Sequence, residues 1–400
     1  MADFKEVVET IRAEEASVAK LFGGDGVGAR RLSRSTPVYL SNLKEAANIY
    51  AAALNGSRWD MLRFQEAMTT SDFPNLFADI LDRQLLSAYR IADKTWPQIA
   101  QRKTVNDFRT VKRFPYQYGA SSALAVVPMD GVYPEDKISD TAPYTYAVQK
   151  YGRRLPFAFE TITNDDLDAL KDAPDRFARA CTATEEKFAT QLYVGATGPN
   201  TSFFTDGNKN IMSVAAGATA ANPVLSIAAL QDAWRMLMLQ KDPDGNPIVV
   251  TYITLVVGPA LYITAKNILE AFELWLVGAE AGATANQQLH VNNWMKGNVK
   301  LVMNPWIPTI ATTGTYGATS WWLFADAANG NAALEMGFLK GYEEPQIFMK
   351  APNAQMVGGG MANVMAGDFD TDSIQYKVRH IFGGATIDPK LALGSTGQAA

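Results

Sequence analysis

One cysteine, Cys181, and two histidines, His290 and His380, are the only thiol and imidazoles in this 400-residue sequence. A single cysteine permits neither an intrachain disulfide nor a cysteine-rich metal site. Cys181 falls on the apolar stripe of a predicted helix with no base beside it, which reads as a buried structural thiol. Neither histidine lies in an H-E-x-x-H pattern or beside carboxylates at metal-ligand spacing. His380 ends the alternating run Tyr376-Lys377-Val378-Arg379-His380, so it reads as a cross-strand group. Asp165-Asp166 and Glu343-Glu344 are the residue types of an acid and a base. Adjacent helical residues do not face each other, however, and solvated charge is the simpler reading. Asp368, Asp370 and Asp372 share one face of a predicted strand, as a cation site or as an exposed polar edge. The glycine clusters at Gly23–Gly28 and Gly358–Gly360 do not follow a strand and open a helix, so they read as linkers. No phosphate-binding GxxxxGK[ST] loop, G-x-S-x-G elbow or kinase signature occurs. The residues point away from an enzyme and call for no cofactor and no metal.

The elements that carry these residues fall into blocks. Residues 3–21 have an amphipathic helical pattern (Phe4, Val7, Val8, Ile11, Val18, Leu21), followed by a Gly/Ser linker with Arg30, Arg31 and Arg34. A second helical region covers about Ser41–Met68. A third begins after Ser71 or Asp72, with Phe73, Leu76, Phe77, Ile80, Leu81 and Leu85 on one face. Residues 119–160 are rich in proline and glycine among short alternating stretches, and Tyr144, Tyr146 and Val148 share a face. Such a hairpin has little core of its own and is marginal in water unless something covers it. Thr163 or Asn164 then caps a long helix whose apolar stripe runs through Leu167, Leu170, Phe177, Cys181, Phe188 and Leu192. Pro174 is expected to break or restart it. Asp175, Arg176, Arg179, Glu185, Glu186 and Lys187 lie between the stripe residues. Residues 224–240 read as a helix, VVTYITLVVGP (249–259) as a buried central strand, and ALYITAKNILEAFELWLV as the helix after it. VKLVMNPWIP and SWWLFAD read as strands; Trp321 and Trp322 point to opposite faces, one for a core and one for an interface. Residues 370–392 return to an extended pattern.

Composition narrows the class. The length exceeds that at which single cores stop growing, so two or three regions are expected. Hydrophobic residues make up 48% and charged residues 19%. That charge share is below the roughly 25% of a typical soluble domain, which suits large subunit contacts. The formal net charge of -5 is wrong for a chain that coats nucleic acid throughout. Residues 1–116 alone are slightly basic, with 17 Lys+Arg against 14 Asp+Glu. The acidic start MADFKEVVETIRAEE is unlike a secretion signal, and no apolar run is long enough for a membrane span. A reducing compartment of synthesis or assembly is expected.

The order and spacing of these blocks resemble the major capsid (head) proteins of tailed bacteriophages, most closely the Mu-like major head subunit group. The resemblance rests on TTSDFPNLFADILDRQLLSAYR (69–90), the loop 119–160, TNDDLDALKDAPDRFARACTATEEKFATQLYVG (163–195), VLSIAALQDAWRML (224–237), TLVVGPALYITAKNILE (254–270), NPWIP (304–308) and DTDSIQYKVRHIFGGATIDPKLA (370–392). It implies an α+β, HK97-type capsid fold. The implied divisions are an N-terminal arm or scaffolding-like extension (1–68), the start of a peripheral domain (69–118) and an extended E-loop (119–160). A spine helix and peripheral domain (161–223), a mixed α/β axial domain (224–365) and a closing peripheral strand with tail (366–400) follow. It implies assembly through pentamers and hexamers into an icosahedral head around double-stranded DNA, built in the host cytoplasm. The partners implied are further copies of the chain, a portal protein, a scaffold or maturation protease, a decoration protein and weakly held DNA; no membrane is involved. Tyr133, Lys137, Tyr144, Tyr146, Lys150, Arg153 and Arg154 are the expected intersubunit contacts of the E-loop. Leu170, Phe177, Cys181, Phe188 and Leu192 are the expected core of the spine helix. Some members crosslink an E-loop lysine, the place of Lys137 and Lys150, but no acceptor asparagine is matched here. The alternatives are an encapsulin-like compartment shell or an enzyme with an unrecognised site.

Overall fold

The computed structural model describes residues 37–54, 73–113, 144–158, 167–241, 252–271, 273–277, 288–325, 332–350 and 373–398, with a few single positions between them, among them Val126, Met129 and Tyr133. The predicted helix 3–21, the arginine linker, the caps at 71–72 and 163–164, Lys137, Asp165-Asp166 and the 368–372 aspartates lie outside the described residues. Helices run over Pro37–Leu54, Phe73–Ile91, Leu167–Tyr193, Ile227–Met238 and Pro259–Glu270. The strands are β1 (Ala100–Val105), β2 (Val111–Arg113), β3 (Tyr144–Tyr146), β4 (Gln149–Ala158), β5 (Val194–Gly195), β6 (Gly198–Pro199) and β7 (Ile253–Val257). They continue with β8 (Glu273–Val277), β9 (Gln288–Asn292), β10 (Val299–Met303), β11 (Trp321–Ala325), β12 (Leu334–Leu339), β13 (Gln346–Met349), β14 (Ser373–Thr386) and β15 (Ala392–Ser395). Helices and strands alternate irregularly, and the sheets mix parallel and antiparallel pairs, so the class is α+β.

The chain divides into two discontinuous units. The first takes residues up to Asp93, Lys150–Thr184 and Gly341–Ile381; the second takes Lys94–Gln149, Glu185–Lys340 and Phe382 onward. The sequence blocks 119–160, 161–223 and 366–400 therefore each contribute to both units. In the first unit β13 pairs antiparallel with β14, from Gln346↔Arg379 to Met349↔Tyr376. β4 flanks β14 on its other side, and Gly152 lies so close to the Val378 carbonyl that a Cβ would sit 2.7 Å from its oxygen. Helix Phe73–Ile91 packs beside β13, with Asp82 accepting from the Ile347 amide at 3.1 Å. Tyr89 meets His380 edge-on at 5.7 Å, which makes His380 a packed residue on the covered face of β14.

The second unit holds two ladders. In one, β12 lies between β1 (parallel) and the Phe382–Thr386 end of β14 (antiparallel). In the other, the order is β10-β7-β11-β15. β7 and β11 are buried at every position, which is why ITLVV and WWLFA read as unbroken apolar runs. Both faces of β11 are covered, so Trp321 and Trp322 are each fully buried, and neither is left for an interface. Trp321 Nε1 donates to the Pro223 carbonyl at 3.1 Å. The run ELWLV is β8, paired with β9, and not the end of the preceding helix, which stops at Glu270. β15 comes from the segment expected to close the peripheral domain, yet it pairs with β11 and is bridged by Met212 and Asn210 through Gly394.

Pro174 does not break the long helix. It runs unbroken over 27 residues, about 40 Å. A proline cannot donate to the carbonyl four residues back, but Pro174 is buried and the helix continues on its packing.

Candidate functional site

Side chains that anchor local structure concentrate at two places, one in the second unit and one along the long helix, whose residues are divided between the units at Thr184 and Glu185. The first is the β2–β3 pair. β2 and β3 pair as Val111↔Tyr146, Lys112↔Thr145 and Arg113↔Tyr144, a short two-stranded stalk. Stalks this short are not stable alone. This one is pinned by Tyr146, whose hydroxyl donates to Glu335 on the central strand β12. Arg113 Nε donates to the same carboxylate oxygen at 2.8 Å. Gly337 makes the fit: a Cβ there would lie 2.6 Å from the Tyr146 ring and hydroxyl. Burial, reinforced by Glu335, holds the Tyr146 hydroxyl well above its ordinary range, so it remains a donor. Replacing Tyr146 with Phe leaves the buried Glu335 short of one donor. A loss of about 1.5–3 kcal/mol in a denaturant melt is expected.

The second place is the long helix. Its buried positions include Pro174, Phe177, Ala178, Cys181, Glu185, Ala189 and Tyr193, a 3.6-residue stripe that contains an acid. Glu185 and Glu186 are buried, and do not sit on a solvated face. Glu185 pairs with Lys94 at 3.4 Å and accepts from Trp96 Nε1 at 3.2 Å. Glu186 accepts from the backbone amides of Thr95 (2.6 Å) and Trp96 (3.3 Å) and from the Thr95 hydroxyl. Burial pushes the Glu186 carboxyl up, against these hydrogen bonds. Burial likewise pulls the Lys94 ammonium down, against the attraction of Glu185. Further along, Asn304 donates to Thr190 Oγ1 and Tyr193 Oη, both at 2.8 Å. Tyr193 packs edge-on against Trp322 (5.5 Å) and Phe324 (5.3 Å). The end of the helix is thus tied to the four-stranded sheet by both polar and aromatic contacts.

These are positioning networks. Glu344, one of the sequence-adjacent acids, is held by Arg90 through two hydrogen bonds of 3.0 and 3.1 Å. No group of His, Cys, Asp and Glu among the described residues is arranged to hold a metal ion. No described helix is long and apolar enough to cross a membrane.

The expected site residues are placed as follows. Phe177 and Cys181 are buried, while Phe188 and Leu192 are half-buried. Phe188 meets Phe382 edge-on at 5.5 Å. Leu170 lies within the helix, but its side chain is outside the described residues. Of the loop set, Tyr133 is 80% exposed, and Lys150, Arg153 and Arg154 are exposed. Tyr144 is half-buried. Tyr146 faces its own chain, which leaves it no area for a neighbour. Val126 (95%) and Met129 (100%) join Tyr133 as large exposed side chains on the loop. Sequence reasoning missed Glu185, Glu335, Arg113 and Lys94. Only the helical spacing Cys181-Glu185-Ala189 carried a signal for Glu185.

A sequence model of the phage capsid protein family matches residues 142–393, which is more than half of the chain. The chain belongs to the phage capsid protein family. As a phage capsid protein it is a structural shell subunit that associates with copies of itself, and its place is the virion capsid. A sequence comparison with curated proteins finds no match. Among solved structures, the capsid protein is similar to a chain of the satellite phage P4 procapsid with its size determination (Sid) protein. Identity there is 11%, coverage 82% of this chain and 100% of that one, and TM-score 0.41. It is also similar to a chain described as Gordonia phage Cozz (12% identity, 75% and 85% covered, TM-score 0.40). A third is the virus-like particle from Pyrococcus furiosus (9% identity, 80% and 99% covered, TM-score 0.38). These likenesses are distant, and the family assignment rests on the family match.

Proposed function

We propose that this chain is the major capsid protein of a tailed phage, of HK97 type and akin to the Mu-like head subunits. Pentamers and hexamers of it form the icosahedral head around double-stranded DNA. The carrying observation is the family match over residues 142–393, which contains the long helix and most of both larger sheets. The chain works as a building block and not as a catalyst. Its further partners are a portal protein, a scaffold or maturation protease, a decoration protein and the packaged DNA, with assembly in the host cytoplasm. Residues 1–68 serve as an arm or scaffolding-like extension. Tyr133, Lys137, Tyr144 and Arg153 meet a neighbouring subunit around the loop. Leu170, Phe177, Cys181, Phe188 and Leu192 seat the spine helix.

Expression of the full chain with its assembly partners tests this. Electron microscopy is expected to show closed particles, with DNA inside when packaging is supplied. A stable monomer at high concentration under those conditions overturns the proposal, and particles filled with protein cargo would instead favour a compartment shell.

A further inference from the structure

In the first unit, one face of β14 is covered and the other is open. Tyr376, Val378 and His380 are buried, whereas Lys377 between them is exposed and Gln375 and Arg379 are half-buried. On the open face the cations are held by neutral groups. Arg379 lies over the rings of Phe348 (4.6 Å) and Tyr342 (5.1 Å) and donates to the Gln346 side chain at 2.8 Å. Lys377 lies over Phe348 at 5.2 Å. Arg154, on the flanking strand β4, reaches the Gln375 side chain at 3.5 Å. Among the described residues no carboxylate pairs with Lys377, Arg379 or Arg154, although the chain as a whole is acidic. Exposed Lys150, four residues before Arg154 on β4, adds a further positive charge on the same face.

We propose that this open face of β4, β14 and β13 is a binding surface for the phosphate backbone of nucleic acid. This inference rests on the capsid reading above and makes the face an inner one. Lys377 and Arg379 are two residues apart on one strand, so their charges repeat about every 7 Å along it. A polyphosphate is the partner that such a row matches without sequence preference. Aromatic rings hold the cations extended without neutralising them, so little ordering is required when an anion arrives. A partner of mixed charge would more naturally meet side chains already paired with carboxylates of their own chain.

The test compares the full-length protein with the Arg154→Gln/Lys377→Gln double variant. Both substitutions lie on exposed side chains, and Arg379 keeps its stacking. Binding to a 30-base-pair duplex of arbitrary sequence is read by fluorescence anisotropy across a salt series, and particle formation is read separately by sedimentation and microscopy. Weaker binding is expected, with the slope of log K against log [salt] shallower by about 2. An unchanged slope and affinity in a variant that still forms particles overturns the surface while leaving the capsid assignment intact. Unchanged DNA binding with loss of particles also overturns it, and assigns the face to contact with a second copy. If the parent forms no particles yet shows the salt-dependent difference from the variant, the capsid reading fails and the phosphate surface stands.

Discussion

Replacing residues 118–141 with a short Gly-Ser connection is expected to give folded, soluble subunits that form no stable shells. The deletion keeps β2, β3 and the Tyr146–Glu335–Arg113 anchor, so the stalk is still closed at its root. Val126, Met129 and Tyr133 are almost wholly exposed. Burying a large apolar side chain is worth about 1.5–3 kcal/mol, so three such residues left in water are a substantial unused association energy. A tyrosine adds rigid aromatic area of the kind enriched in interfaces. Circular dichroism and thermal melts of the variant should match the parent, while sedimentation should show no particles. Normal particles with parental heat resistance would mean that the loop does not clamp neighbours together.

Glu185→Ala is expected to destabilise the subunit by about 3–5 kcal/mol, the typical effect of removing one partner from a buried ion pair. Glu185 is fully buried, and it is the carboxylate shared by Lys94 and the Trp96 indole. The substitution also leaves a small void beside Cys181 and Ala189 on the same face of the helix. Glu185→Gln keeps an acceptor for the indole and loses the charge, so its effect should be smaller. Urea denaturation of dissociated subunits measures both. If alanine changes stability by less than about 1 kcal/mol, as for an exposed pair, the buried pair is not what seats the helix.

The apolar strands were legible because period and composition agree. ITLVV and WWLFA are buried on both faces, and a short apolar run without alternation, set off by glycine, proline or other turn residues, fits such a strand. The long helix was legible too, but its facing was only partly so. A stripe drawn through the largest apolar residues picks Phe188 and Leu192, which are half-buried. It passes over Ala178, Ala189 and Tyr193, which are buried. Small residues mark where a helix approaches its neighbours closely, and a side-chain hydrophobicity count undervalues them. Glu185 and Glu335 were illegible for another reason. Each acid is made tolerable by a partner far away in sequence, Lys94 and Trp96 for one, Arg113 and Tyr146 for the other. Tyr146 reads from the sequence as part of the 119–160 loop, because the sequence does not show that β3 turns back onto β12. ELWLV is as short as ITLVV, but it follows ALYITAKNILEAF with no glycine or proline between them, so the sequence favours one continuous helix where the chain turns into β8.

The pairing of β1 with β12 sets a clock on synthesis. Residues 100–105 emerge from the ribosome long before their ladder partner at 334–339. At about 5–20 residues per second, the β1 edge waits roughly 10–50 s with its hydrogen-bonding groups unspoken for. Many nascent copies share the cell at once, and β12 of another copy offers the same ladder as the chain's own. Faithful closure therefore depends on keeping nascent chains apart for that interval, so crowding of polysomes and access to chaperones bear on the yield of shells before any subunit contact is made.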